Sequence, residues 1–204
     1  MEEIKMNNYV LLRGVLHEAP RFSHESREER FYQLSMDICR LSGTVDTIHV
    51  IVKEQLLKSL ELSAHEKLCV CGELRTFNNK SGVGPRLIIS VYAKEIWLEN
   101  GPDENIIELS GALCKDPNLR TTPMGREICD LMLAVNRRYG RSDYLPCIAW
   151  GANARESACW PIGTQVHLSG RIQSRTYTKI IEGIPTDKIA FEVSIIQIHP
   201  QEIS

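Results

Sequence analysis

The sequence repeats itself once, at an offset of 97 residues. Asn8-Tyr9-Val10-Leu11-Leu12-Arg13-Gly14-Val15-Leu16 aligns with Asn105-Ile106-Ile107-Glu108-Leu109-Ser110-Gly111-Ala112-Leu113. The Asn, the Gly and the closing Leu coincide, and Pro20 and Pro117 keep the same offset. So do Leu34 and Leu131, Arg40 and Arg137, and Asp46 and Asp143. Later, Val70-Cys71-Gly72-Glu73-Leu74 resembles Leu168-Ser169-Gly170-Arg171-Ile172, the offset having drifted to 98. A period this long exceeds any solenoid unit and is close to the commonest domain size. The chain therefore reads as a duplicated domain. The polar stretch Glu99-Asn100-Gly101-Pro102-Asp103-Glu104, with its Gly-Pro breaker, marks the junction. It divides the chain into domains at 1–99 and 105–199.

Each copy reads as mostly strand. In the first, residues 9–17, 31–40, 46–53, 67–75 and 86–97 are apolar or β-branched with rough alternation. In the second, 105–114, 126–136, 143–151, 165–175 and 188–198 are their counterparts. Leu56, Leu57 and Leu60 fall at helical spacing between the third and fourth strands, and a shorter helix is expected over Ala152–Ala158. Three strands, a helix and two strands is the order of a five-stranded oligonucleotide/oligosaccharide-binding (OB) barrel. The expected fold is thus all-β, two tandem OB-fold barrels, each with a short helix between strands three and four. A barrel of this kind can also be a scaffold, so the fold alone does not fix function.

Composition removes several classes of function. No run of about 18 apolar residues occurs, so no membrane span is expected. The start, Met1-Glu2-Glu3-Ile4-Lys5, is not a secretory signal. The seven Cys form no CxxC, and the six His show no metal-ligand spacing, so neither a metal nor another cofactor is expected. A reducing, cytoplasmic location fits these cysteines. Asp130 and Asp143 lie on different segments, and no nucleophile–base pair stands out. An enzyme with a small-molecule substrate is not expected.

The second copy carries Thr122-Pro123-Met124-Gly125-Arg126, then Asp143-Tyr144-Leu145-Pro146-Cys147-Ile148-Ala149-Trp150-Gly151, then Gly170-Arg171-Ile172-Gln173-Ser174-Arg175-Thr176-Tyr177. Over residues 105–198 this resembles the bacterial single-stranded DNA-binding protein family. The match shows in the Pro-x-Gly turn into strand two, the aromatic-Gly closing strand three, and the Gly-x-Ile-x-Ser-Arg-x-Tyr run of strand four. Over residues 8–97 the likeness is weaker, resting on Asn8, Gly14, Pro20, Gly72, Leu74, Arg75 and Thr76. The resemblance implies base stacking at Tyr139, Tyr144, Trp150 and Tyr177. Such stacking tolerates any sequence, because every base has a π-face. Beside these aromatics stand Arg126, Arg137, Arg138, Arg171, Arg175 and Lys179 as phosphate contacts. The formal net charge of −2 gives no hint of this. From Lys115 to Lys179, however, ten Lys and Arg face five Asp and Glu, a local balance of +5. A core role for Trp150, and a half-exposed strand role for Tyr144, are the competing readings of those aromatics.

The first copy departs from the pattern. Thr47 takes the place of Tyr144, and Lys53 that of Trp150. Its contact candidates are Phe77, Arg75, Lys80 and Arg86, at or near an expected hairpin tip over 79–85. The resemblance further implies a single-stranded DNA partner, with RNA as the alternative ligand. It also implies a homodimer supplying four OB domains, and roles in replication, recombination or repair. The Gly/Pro/Gln-rich linker and acidic tip of many relatives do not follow the last strand, so recruitment of partners by that route is not expected. The rival function is a primosome-type OB-fold module that binds proteins firmly and DNA weakly.

Overall fold

The computed structural model describes residues 7–79, 85–137, 139–181 and 183–201. The first repeat forms β1 (Asn8–Leu16), β2 (Arg21–Ser26), β3 (Glu29–Cys39), β4 (Val45–Lys53), α1 (Glu54–Leu57), β5 (Lys67–Asn78) and β6 (Leu87–Leu98). The second forms β7 (Glu104–Leu113), β8 (Asn118–Thr121), β9 (Glu127–Asn136), β10 (Ser142–Trp150), α2 (Ala152–Ser157), β11 (Gln165–Ile181) and β12 (Ile184–Pro200). All ten expected strands are present.

In the first repeat the strands run in the order β2-β3-β4-β6-β5-β1. The end of β1 returns to β3 through Val15 opposite Asp37 and Leu16 opposite Met36, which closes the barrel. The parallel pair β4–β6 sets Val50 against Val91. The second repeat has the same plan. β7 returns to β9 through Ala112 opposite Ala134, and β10 pairs with β12 in parallel through Cys147 opposite Val193. Each barrel is filled by one face of alternating strands. In the first, Val10, Leu12, Ile48, Val50 and Leu74 are fully buried, and in the second Leu109, Leu133, Leu145, Val166 and Ile172 are. This is the tandem OB-fold architecture.

Three details differ from expectation. The short strands β2 and β8 turn back as hairpins onto β3 and β9. Their residues are exposed throughout, so they carry no buried alternation to read. Helix α1 stops after one turn, having neither a side-chain cap nor a buried residue. The hairpin β11–β12 is longer than the hydrophobic pattern suggests, reaching Ile181 opposite Ile184.

By compactness the chain divides into two units. One comprises Tyr9–Arg75 and Ile89–Ile106, and the other Met1–Asn8, Thr76–Ile88 and Ile107–Ser204. The second repeat thus shares its unit with a segment of the β5–β6 hairpin.

The glycines that reveal the duplication mark close strand crossings. A Cβ on Gly14 would sit 2.5 Å from the Asp37 carbonyl oxygen, and one on Gly111 would sit 2.3 Å from that of Ala134. Gly72 and Gly170 meet the Tyr92 and Ser194 carbonyls in the same way, at 2.2 and 2.5 Å. Gly14 and Gly111 sit where the barrels close, Gly72 and Gly170 where neighbouring strands approach closely, and none of the four needs a functional explanation. Gly111→Ala is expected to destabilise its barrel by about 1–3 kcal/mol, the usual cost of overpacking against backbone. Urea unfolding followed by circular dichroism measures this, and an unchanged midpoint would contradict the close-packing argument.

Candidate nucleic-acid interface

The register of the second barrel sorts its side chains. On β10, Asp143, Leu145, Cys147 and Ala149 point inward and are buried, while Tyr144 and Trp150 are 53% and 40% exposed. Both aromatics lie on the outer face, six residues apart on one strand. Trp150 is therefore not a core residue. Gly151 follows it with φ 56 and ψ −118, a conformation costly for any side chain, and it turns the chain into α2 immediately after Trp150.

The same face continues across the sheet. Ile148 on β10 is paired with Ser194 on β12, and Ser194 with Arg171 on β11. Cross-strand partners share a face, so Arg171 lies on the Tyr144–Trp150 side. Alternation along β11 adds Gln173, Arg175 and Tyr177, and Lys179 takes the next position in register. The Arg175 guanidinium carbon lies 5.7 Å from the centre of the Tyr177 ring, in cation–π range. Arg126 is exposed in the β8–β9 turn, two residues before Ile128, the register partner of Trp150. Tyr139 is 99% exposed at the tip of the β9–β10 loop, with a φ of 68. Lys80 and Arg138 lie outside the described residues, as does the side chain of Lys179.

One sequence-derived contact has another task. The Arg137 Nε donates to Asp143 Oδ2 at 2.6 Å, and its Nη2 donates both to Asp143 Oδ1 and, at 3.0 Å, to the Thr76 carbonyl. The Asp143 side chain is 0% exposed. Arg137 is the two-pronged partner of a buried carboxylate and holds the base of the loop that carries Tyr139. The first repeat does the same, where Arg40 Nε and Nη2 donate to Asp46 Oδ2 and Oδ1, both at 2.6 Å. The repeated Arg and Asp are a structural clasp of each barrel.

The remaining cations divide into engaged and free. Arg175 Nε meets Glu192 at 3.1 Å, and Arg120 grips Asp130 at 2.5 and 3.0 Å. That contact raises the Arg120 pKa, chiefly through its hydrogen bond to Asp130. Among the described residues, the side chains of Arg126, Arg141 and Arg171 have no acidic partner. Lys188, opposite Tyr177 in register, also belongs to this face. Sequence reading missed it because Lys188 lies beyond the basic stretch ending at Lys179.

The corresponding face of the first repeat is neutralised. Glu73 stands where the second repeat has Arg171, and it holds both Arg75 and, at 3.6 Å, Lys94. Lys53, in the place of Trp150, pairs with Glu29 at 2.7 Å, and this hydrogen bond raises its pKa. Thr47, in the place of Tyr144, donates to Asp37 at 2.6 Å. The aromatics here are ones the sequence did not single out. Phe22 meets Tyr32 edge-on at 5.9 Å with Arg30 over both rings, and His24 stacks on Phe31 at 4.8 Å. Arg30 is in turn bound to Glu54 at 2.8 Å. Phe77 is 49% exposed and Arg86 is exposed, both within Thr76–Ile88. Among the described residues, no group of three or more His, Cys, Asp or Glu could hold a metal ion, and no helix is long and apolar enough to cross a membrane.

The chain is similar to known proteins. The model of the single-strand binding protein family matches residues 104–198. Single-stranded DNA-binding protein B of Bacillus subtilis is 35% identical over 108 residues, covering 48% of this chain and 95% of that protein. The single-stranded DNA-binding protein of Clostridium tetani is 38% identical over 80 residues, covering 36% of this chain. The chain spans only 55% of the length of that relative. Among solved structures, the wild-type single-stranded DNA-binding protein of Thermus aquaticus superposes with a TM-score of 0.77 at 21% identity, over 97% of this chain and 94% of that one.

Proposed function

The chain belongs to the single-strand binding protein family, and from that premise we propose that it binds single-stranded DNA with little sequence preference. Bases stack on Trp150, Tyr144, Tyr177 and Tyr139, and phosphates are met by Arg171, Arg175, Arg126 and Lys179. The observation that carries this reading is the shared outer face of β10, β12 and β11, which brings Tyr144, Trp150, Arg171, Arg175 and Tyr177 to one side of one barrel. Stacking platforms beside cations bind any single strand through its bases and backbone. Arg138, next to Arg137 in sequence, is a further candidate phosphate contact, while Arg137 contributes by holding the β9–β10 loop. The reading is of a binding protein without a catalytic step. It places the protein with DNA in the cytoplasm, during replication, recombination or repair. Two such chains would bring four OB barrels together, and sedimentation of the free protein tests that assembly.

The first repeat has the smaller share. Its face offers Glu73 where the second offers Arg171, and its cations are already paired. Phe77 and Arg86 are its contributions, with Arg75 and Lys80 as further candidate contacts.

The test is quenching of tryptophan fluorescence by poly-dT across a salt series. The expected result is strong quenching that weakens as salt rises and that Trp150→Phe largely abolishes. No quenching and no mobility shift at low salt would refute the proposal. Poly-U in parallel distinguishes RNA.

Glu192 supplies a second test, with a gain of affinity as its outcome. Its carboxylate occupies Arg175 and repels incoming phosphate. Glu192→Gln is expected to tighten binding by about threefold at low salt, with the gain fading as salt screens the charge. Weaker binding would show that Glu192 aims Arg175 rather than competing for it.

A further inference from the structure

Thr76, near the end of β5, is only 9% exposed, and all three of its polar groups are held by the β9–β10 hairpin. Its N–H donates to Asp143 Oδ1 at 2.5 Å, and its hydroxyl donates to the same oxygen at 3.2 Å. The hydroxyl also accepts from the Tyr144 N–H at 3.1 Å, and the carbonyl accepts from Arg137 Nη2 at 3.0 Å. Arg137 closes the set by gripping Asp143.

Burying a carboxylate costs free energy, and apolar side chains could pack this junction without that cost. What polar bonds add is direction, because each fixes an angle as well as a distance. Two exposed aromatics adjoin the junction. Phe77 is the next residue after Thr76, its Cα about 3.8 Å further along the chain, and it is 49% exposed. Tyr144 is 53% exposed, and its own N–H is one of the bonds. Beyond Phe77 the hairpin arms are tied by Asn79 N–H to the Arg86 carbonyl at 2.7 Å and Asn79 Nδ2 to the Pro85 carbonyl at 3.3 Å. This tie sets Arg86 across from Asn79, two residues beyond Phe77.

We infer that Thr76 and Asp143 are positioning residues that index Phe77 against Tyr144, so that a single strand leaving the β10 face passes onto Phe77 and Arg86 as one continuous track. The inference rests on the single-strand reading of the β10 face. It adds that this site includes an aromatic from the first repeat, set in place by a buried carboxylate of the second.

The experiment uses the full chain and a graded series of oligo-dT lengths. Thr76→Val keeps the shape and removes the hydroxyl, whereas Thr76→Ser keeps the hydroxyl. Thr76→Val and Phe77→Ala are each expected to weaken binding of long oligo-dT by about tenfold, the order of one lost base stack, and to weaken binding of short oligo-dT less. The double variant is expected to bind no worse than Phe77→Ala alone, and Thr76→Ser to bind like the unsubstituted chain. Multiplying effects, or Thr76→Val binding long oligo-dT normally, would overturn the inference. If Thr76→Val does not fold, Phe77→Ala measured with and without Tyr144→Ala replaces it. There, coupled effects support a continuous track and independent effects overturn it. Failure of the unsubstituted chain to bind any oligo-dT would instead strike the single-strand reading itself, so the two failures are distinguishable.

Discussion

Trp150→Ala is expected to weaken the binding of poly-dT by about tenfold, and adding Tyr144→Ala to bring the loss to about a hundredfold. The estimate follows from base–aromatic stacking worth about 1–3 kcal/mol per base. The geometry favours a full effect. Both rings stand on the outer face of β10, half in solvent, while the residues between and behind them close the core. Truncating them therefore removes ligand surface and leaves the barrel packing alone. Anisotropy of a labelled oligonucleotide is the right measurement, since Trp150 cannot then serve as the reporter. Matched unfolding midpoints would show that the fold is intact. An affinity loss below twofold for the double variant would place the binding surface elsewhere. The corresponding first-repeat substitution, Lys53→Ala, is expected to change affinity little, because that ammonium group is already paired with Glu29.

Arg137→Ala has its largest effect on stability. It leaves the fully buried Asp143 carboxylate without its two-pronged partner. Removing one member of a buried ion pair costs about 3–5 kcal/mol, and because the Arg137 side chain is 25% exposed, about 3 kcal/mol is expected here. Arg40→Ala should cost a similar amount in the first repeat, where Asp46 is held in the same way. Replacing Arg137 and Asp143 together by apolar residues should recover only part of the loss, since no charge is then left buried but the Thr76 N–H, hydroxyl and carbonyl lose these partners. Chemical denaturation of the two single variants and the double variant tests this. If Arg137→Ala instead leaves stability unchanged and only weakens DNA binding, Arg137 is a phosphate contact and the clasp is incidental.

The two arginines show how far sequence reasoning reaches. The duplication, the ten main strands and the barrel order were legible, because buried alternation and crossing glycines leave a periodic trace. The strands β2 and β8 left none, being exposed on both faces. The aromatics themselves were legible through the family resemblance, and the even spacing of Tyr144 and Trp150 sends both to one side of β10, but that Tyr177 joins them follows only from the register of β10, β12 and β11. Arg137 was harder. A guanidinium that grips a carboxylate and one that grips a phosphate use the same atoms, and composition cannot separate them. One signal could have done so. Arg40 and Asp46 recur as Arg137 and Asp143 at the repeat offset, whereas Tyr144 and Trp150 have no aromatic counterparts. Whatever both copies keep serves the shared fold, and whatever differs is free to serve a ligand. The Phe22, Tyr32 and Arg30 group was missed for a different reason, because its members come together only when β2 folds back on β3.

The bonds of Thr76 bear on how this chain can be dissected. A fragment cut at the sequence junction, starting near Glu104, would carry the whole second repeat yet lack Thr76. Asp143 Oδ1 would lose two of its donors, and Arg137 one of its acceptors. Such a fragment would begin its life with a wounded core, and weak DNA binding by it would report on the cut rather than on the face. The compact unit that holds this environment is not a contiguous stretch of the chain, since it joins Thr76–Ile88 to Ile107–Ser204. Dissection by truncation and dissection by point substitution should therefore give different answers, and the second is the one to believe.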